Sequence, residues 1–585
     1  MASSSGETGQ LTDILYSVDQ VPPWYLCVLL AFQQFLTAFG ATFAFPLIIS
    51  SAICLDGDLV GTGELISTII FVSGMSTVLQ STLGVRLPII QSVSYSFIVP
   101  IFVVMNLEKE RCPYNFKDEY NITALPEKGS AGHKEYWHSN LAELQGSLMV
   151  GSLVQIIVGF SGLIGLIMRF IGPLTIAPTI TLISISLFGA ASDKGSEQWY
   201  ICFMTIFLVV LFSQYLRNVS IPCPCLREGK LAVFALFPVL MAVIVSWVVC
   251  VILTETNVLT DDPKKWGYGA RTDTKIKVLE ESEWFRFPYP GQWGKPSVTV
   301  AALLGMIAAI VASIIESVGD YYACARLSGA TPPPSSAVNR GIGMEGITCL
   351  LAGAWGTGAG NTSYSENIGA IGITKVGSRI VVQLAGVIMI LLGCLGKFGA
   401  LFVTIPDPVV GGLFYVMFGM VAAVGISNLQ FVNLNSSRNL FVFGVPLFIG
   451  LSMPNWVANA DNPIDTGSSI ADQILEVLCG TSMFVGGVLA FILDNTIPGT
   501  REERGLKTWD AAKDNGDSLS STYDMPYIQP FLNRITCLRY IPFCPGFVLD
   551  KPKQRIEDIE FTSFDTPKPT ADYQKPESNE KEQNH

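Results

Sequence analysis

The sequence predicts an all-α membrane protein, on three observations. Half of the 585 residues are hydrophobic and 14% are charged, whereas soluble domains are about 25% charged. The mean hydropathy is +0.44. Apolar runs recur along the chain, for example at 231–253, 298–317 and 474–493, and about 20 apolar residues span the hydrocarbon core of a bilayer.

The first 20 residues or so are polar and acidic, without the basic start and short apolar core of a cleavable signal. Residues 1–22 therefore read as a segment outside the membrane, and the first apolar helix as a retained anchor. About fourteen apolar segments follow, at 23–48, 63–82, 88–105, 144–165, 172–190, 199–216, 231–253, 298–322, 340–355, 364–376, 380–396, 407–425, 438–453 and 472–494. Half of them precede the polar loop at 254–297 and half follow it. The repeats are thus 23–253 and 298–494, and an odd number of segments in each makes the second enter the membrane from the opposite side.

Arg86, Arg169, Arg217, Arg227, Lys230, Arg326, Arg340, Lys375, Arg379 and Arg438 fall on short connections of one face, which the positive-inside rule makes cytoplasmic. The long loops at 106–142 and 255–296 also hold many lysines, on the other face. The sequon at Asn121 lies in the first of them and favours an external, glycosylated loop. Both termini are then cytoplasmic, and the sequons at Asn218 and Asn435 are chance matches inside the cell. The stretch "REERGLKTWDAAKDNGD" suits a short surface helix. The tail, 495–585, turns polar and from Lys551 onward has the composition of a disordered segment.

The net charge of −12 argues against nucleic acid as a partner. The thirteen cysteines are scattered, many in apolar runs where they serve as small hydrophobes. Cys223 and Cys225 form a CxC, a weak metal signal better read as loop packing. The three histidines, His133, His138 and His585, lie outside the apolar segments. There is no nucleophile–base pairing and no metal-ligand spacing, so the chain is not read as an enzyme and no cofactor is expected.

The tripeptide Ser-Tyr-Ser occurs once in each repeat, at Ser94, Tyr95 and Ser96 and at Ser363, Tyr364 and Ser365. The segments that hold it, the third and the tenth, are short and interrupted. Matching interrupted segments in two inverted halves point to a transporter's binding site, because irregular backbone at membrane depth survives only where it is buried or lines a cavity. In segment eight, "ASIIESVGDYY" places Glu316 and Asp320 four residues apart, on one helix face. Such a pair needs a proton, a cation or a hydrogen-bonding ligand. Glu366 opens the half-helix of segment ten, where the helix dipole favours a carboxylate. The run "GTGAGNTS", 356–363, resembles a phosphate loop but lacks the lysine at Walker spacing; it reads as flexible backbone entering segment ten. "GGLFYVMFG", 411–419, allows close helix packing.

The stretch Glu366-Asn367-Ile368-Gly369, ending in Thr374-Lys375, resembles the signature of the nucleobase–ascorbate transporter family, solute carrier family 23. "IESVGDYYACARLSGATPPP" and "NLQFVNLNSSRNLFVFG" resemble its animal, sodium-dependent branch. The likeness covers roughly residues 24–498. It implies two inverted seven-segment repeats, with segments one to four and eight to eleven as a core and the others as a gate that commonly dimerises. It also implies short strands in segments three and ten, elevator-like motion of the core, and a place in the plasma membrane. By the resemblance, Glu316 and Glu366 hydrogen-bond the substrate, with Ser94, Tyr95, Ser96, Ser365 and Asn367 around them. Asp320, Gln34 and Asn361 would serve the coupling ion, sodium, with Asp320 as its ligand.

In the family, ascorbate carriers have Pro at the first signature position and nucleobase carriers have Gln or Glu. A carboxylate accepts from ring N–H donors and repels the ascorbate anion, so Glu366 points to uncharged bases: uracil, thymine, hypoxanthine, guanine or xanthine. Two departures stand out. Gln33-Gln34 replaces the Gln-His of many relatives, and Tyr95 replaces a Phe. Bacterial relatives have His where Asp320 stands and use protons, while some proton-coupled fungal relatives also have Asp there. The competing readings are an ascorbate symporter, which Glu366 opposes; an anion exchanger or channel, which would show a cationic centre; and a receptor or scaffold, which needs no carboxylates inside the membrane.

Overall fold

Helices form wherever the apolar runs stand, because every backbone polar group in a bilayer must be satisfied within its own segment. The computed structural model describes residues 14–115, 125–219, 221–222, 230–231, 233–263, 265–460, 464–506, 521–525 and 541–544. In the first half, α1 is Trp24–Ile49, α2 is Leu59–Thr82 and β1 is Gln91–Val93. Then come α3, Ile98–Asn106, α4, Ala131–Ser161, α5, Pro173–Ile185, α6, Trp199–Val210, and α7, Pro238–Glu255. The second half holds α8, Val300–Leu327, α9, Ser335–Trp355, β2, Asn361–Ser363, and α10, Ser365–Thr374. It closes with α11, Arg379–Gly393, α12, Asp407–Ser427, α13, Ser437–Asn459, α14, Ser469–Gly480, and α15, Ser482–Thr496.

Eight helices among the described residues are long and apolar enough to cross a membrane, or nine if α14 and α15, bent by 78° at their junction, are one span. The shorter apolar helices are Tyr95–Asn106, Trp199–Tyr215 and Arg379–Gly393. α4 starts at Ala131 rather than at the expected 144, because the Ser130 side chain accepts from the His133 amide and caps a polar first turn. His133 and His138 therefore sit on a helix whose later turns are apolar. Asp58 and Thr299 cap α2 and α8 in the same way.

The helices pack in two groups. α2 lies on α11, α4 on α9 and α8, and α1 on α11. In the other group α12 lies on α5 and α6, α15 on α5 and α13, and α7 on α6. Gly411 on α12 meets the backbone at Gly195, where a Cβ would stand 2.4 Å from the Gly195 nitrogen. That contact explains part of the glycine-rich run.

Among the cysteines, Cys54 and Cys112 form a disulfide. This corrects the reading of the cysteines as apolar fillers, which holds for the buried, unpaired Cys27, Cys202, Cys250, Cys324 and Cys349. Asn121, Cys223, Cys225, residues 507–517 of the "REERGLKTWDAAKDNGD" stretch and the tail from Lys551 lie outside the described residues.

Candidate functional site: a carboxylate-lined cavity at crossed strands

The two interrupted segments meet inside the helix bundle. β1 and β2 pair antiparallel, with Gln91 opposite Ser363, Ser92 opposite Thr362 and Val93 opposite Asn361. The approach to β2 uses Gly356 and Gly358 at φ +78° and +80°, a left-handed conformation that a side chain would strain. This is the work of the glycine-rich run that resembled a phosphate loop. After each strand the chain turns directly into a helix, so the amides at the start of α10 lie close to the crossing.

A cavity of about 1460 Å³ opens beside this crossing. Glu316 and Asp320 line it from α8, Glu366 from α10 and Tyr95 from the turn after β1; Ile176, Tyr415 and Val421 face it from the second helix group. It reaches the face of the short basic connections, where Arg217, Arg326 and Pro332 also line it. Glu366 is exposed, Glu316 intermediate and Asp320 only 7% exposed. One face of α8 thus presents two carboxylates to the cavity, as their four-residue spacing requires, and Glu366 completes a cluster of three.

Asp320 is held by two hydroxyls. Ser363 Oγ donates to Oδ2 at 2.8 Å and Ser365 Oγ to Oδ1 at 2.7 Å. Both serines belong to the second Ser-Tyr-Ser, and Tyr364 OH donates to the Val93 carbonyl at 2.9 Å across the crossing. The first tripeptide acts differently. Ser94 Oγ accepts from the Ser96 amide, and Ser96 Oγ is buried without a hydrogen-bond partner among the described residues. Tyr95 OH donates to the Ala41 carbonyl at 3.0 Å. The remaining sequence candidates stand behind the cavity wall. Asn367 donates to Gln34 O and Oε1 at 2.7 and 2.8 Å, tying α10 to α1, and Asn361 donates to Ser76 Oγ at 2.6 Å.

One carboxylate escaped the sequence reading. Glu345, fully buried on α9, accepts from Ser317 Oγ at 2.9 Å, Tyr321 OH at 3.0 Å and Gln155 Nε2 at 3.2 Å. Ser317 also bonds Thr362 at 2.9 Å, so this network backs the same strand from behind. The signal was an acidic residue inside the apolar run "GMEGITCLLAG". Among the described residues, no group of three or more His, Cys, Asp or Glu side chains is placed to hold a metal ion.

Residues 27–458 match the model of the Permease family named Xan_ur_permease. Solute carrier family 23 member 1 of Rattus norvegicus is 49% identical over 544 residues, which are 92% of this chain and 89% of that protein. Nucleobase-ascorbate transporter 1 of Arabidopsis thaliana is 37% identical over 536 residues, 90% of this chain and 97% of that protein. Among solved structures, the transmembrane domain of a cyanobacterium bicarbonate transporter, BicA, aligns with 79% of this chain and 99% of its own at 14% identity, with a TM-score of 0.44. A multi-pass helical chain with a carboxylate-lined cavity, matched over most of its length by a permease family and by these relatives, is a membrane transporter and not an enzyme: it belongs to solute carrier family 23, the nucleobase–ascorbate transporters.

Proposed function

We propose that this protein is a sodium-coupled symporter that imports neutral nucleobases across the plasma membrane. The observation that carries the reading is the position of Glu366 in the cavity beside Glu316. A purine or pyrimidine offers ring N–H donors that two carboxylates can accept, and a hydrogen bond to a charged group contributes about 1.5–3 kcal/mol. Sodium, as the cotransported ion, would neutralise Asp320, whose oxygens already face the hydroxyls of Ser363 and Ser365. Hard cations favour such oxygen donors. With Asp320 neutralised, Glu316 binds base more tightly, and linkage makes the effect reciprocal. Gln34 and Asn361 would support the ion site through α1 and β2, while Ser94 and Ser96 would back the base pocket and Asn367 would brace α10 against α1.

Whole-chain likeness supports a second reading, ascorbate, and supports it better than it supports a base. The relative at 49% identity is an animal member of solute carrier family 23, and the plant relative carries both nucleobase and ascorbate in its name. Glu366 supports the first reading, because an anionic substrate would meet three carboxylates there. Uptake of labelled uracil and labelled ascorbate, each in sodium and in choline, separates the readings. Sodium-dependent uracil uptake is expected. Uptake of ascorbate alone would transfer the assignment to the second reading.

The finer architecture belongs to the same proposal. The chain crosses the membrane about fourteen times in two inverted repeats. The group holding α8 and α10 moves as an elevator against a gate that dimerises. The Cys54–Cys112 disulfide suits an oxidising, external face and so supports an external Asn121 loop with both termini in the cytoplasm. Endoglycosidase should shift the wild-type band and leave Asn121→Gln unshifted; a shift that maps to Asn218 or Asn435 would reverse the topology.

A further inference from the structure

We propose that residues 521–524 are a positioning element for the transport site, docked on an arginine-lined surface of the helix group that carries the carboxylates. The inference rests on reading Glu316 and Asp320 as that site.

Three guanidiniums converge on the basic face. Arg86 is 9% exposed, Arg340 1% and Arg379 9%. Arg340 donates from Nε to the Gly84 carbonyl at 2.7 Å and from Nη2 to the Tyr523 carbonyl at 2.8 Å. Arg379 donates from Nε to the Arg86 carbonyl at 2.8 Å and from Nη2 to the Thr522 carbonyl at 2.9 Å, and its Nη1 pairs with Asp19 at 3.1 Å. Tyr523 is 3% exposed, and its hydroxyl donates to the Thr331 carbonyl on the connection between α8 and α9. Thr522 Oγ1 donates to Asp19 at 2.9 Å. The connection after α2, the one after α8 and the one before α11 are thus joined through residues that belong to none of them.

The charges make this docking more than surface packing. Arg86 lies within repelling range of both Arg340 and Arg379, and the carboxylates of Asp19 and Asp524 are the acidic groups that face them. Without 521–524, the Arg340 guanidinium keeps its cationic neighbour but loses an acceptor. An underpaired buried charge is costly, and the structure relieves it by letting the connections separate. Thr331 and Pro332 line the cavity, and Asp320 stands two turns before the end of α8 at Leu327. Movement of that end reaches Asp320 along the helix. A segment that only stabilised the protein would change its amount at the surface and leave the ion dependence of each molecule alone.

The test uses full-length protein and reads uptake per surface-labelled molecule. Tyr523→Ala should raise the sodium concentration for half-maximal uptake ~5-fold, the equivalent of about one lost hydrogen bond, with half-saturation for base nearly unchanged. Tyr523→Phe, which keeps the ring, should fall between it and wild type. A synthetic peptide spanning 519–526, applied to the cytoplasmic face of inside-out vesicles, should restore the sodium dependence of Tyr523→Ala. The same peptide, fluorescently labelled, should bind purified Tyr523→Ala, and Arg340→Lys added to that variant should weaken the binding. The peptide measurement needs no transport, so a wild type that carries neither base nor ascorbate would refute the substrate reading and leave the docking measurement intact. A wild-type sodium curve in Tyr523→Ala, or no peptide binding, would overturn the proposal.

Discussion

The two Ser-Tyr-Ser tripeptides share a sequence and a place at the end of a paired strand, yet they differ in what they touch. In the second, Ser363 and Ser365 both donate to Asp320. In the first, Ser94 caps its own turn and Ser96 has no partner among the described residues. The tyrosines remain alike: each hydroxyl donates to a backbone carbonyl, Tyr95 to Ala41 and Tyr364 to Val93. The difference comes from the facing helix. α8 brings carboxylates to the second tripeptide, while α1 brings the Ala41 carbonyl to the first. Two matching strand-to-helix crossings can therefore share a backbone pairing while the polar chemistry collects at one of them.

The largest effect that would sharpen this comparison is at Glu366. Glu366→Ala should nearly abolish base uptake, because a lost charge-assisted hydrogen bond of roughly 1.5–3 kcal/mol lowers affinity about 10- to 150-fold. Glu366→Gln, which keeps one acceptor, should weaken uptake less and change the preference among bases. Concentration-dependent uptake of uracil and xanthine reads both, and unchanged kinetics in Glu366→Ala would remove the residue from the site.

The serines come next and test the asymmetry itself. Ser363→Ala and Ser365→Ala each remove a donor to Asp320, so each should raise the sodium concentration for half-maximal uptake about 3- to 10-fold. Ser94→Ala and Ser96→Ala should leave it close to wild type. A sodium titration of the four variants at fixed pH decides, and equal effects in both pairs would mean that the halves share the ion site.

Smaller still is the effect of the tyrosine hydroxyls. Tyr95→Phe and Tyr364→Phe each leave a buried carbonyl short of a donor, at about 1 kcal/mol. The two variants should lose similar amounts of thermal stability in detergent, a few degrees in Tm at most, without a change in sodium dependence. A sodium-curve shift confined to Tyr95→Phe would show that the first tripeptide also takes part in coupling.

Much of this was legible in the sequence because a bilayer leaves few choices. Long apolar runs must be helices, so the α1, α8 and α12 regions could be placed from composition alone. An acidic pair inside such a run must face something polar, which placed Glu316 and Asp320 on one side of α8. The Ser-Tyr-Ser repeat and the glycines before Asn361 marked the crossing because helix-unfriendly residues at membrane depth need a reason. Only the tertiary structure could decide which serines hold Asp320, since Ser94, Ser96, Ser363 and Ser365 have the same chemistry and differ only in the helix packed across from them. It also decided that Glu345 is enclosed by Ser317, Tyr321 and Gln155, that Cys54 meets Cys112, and that Asn367 faces Gln34 rather than the cavity. Each of these contacts joins residues far apart in the chain, and periodicity, which reports only a residue's own helix face, carries no information about what that face will meet.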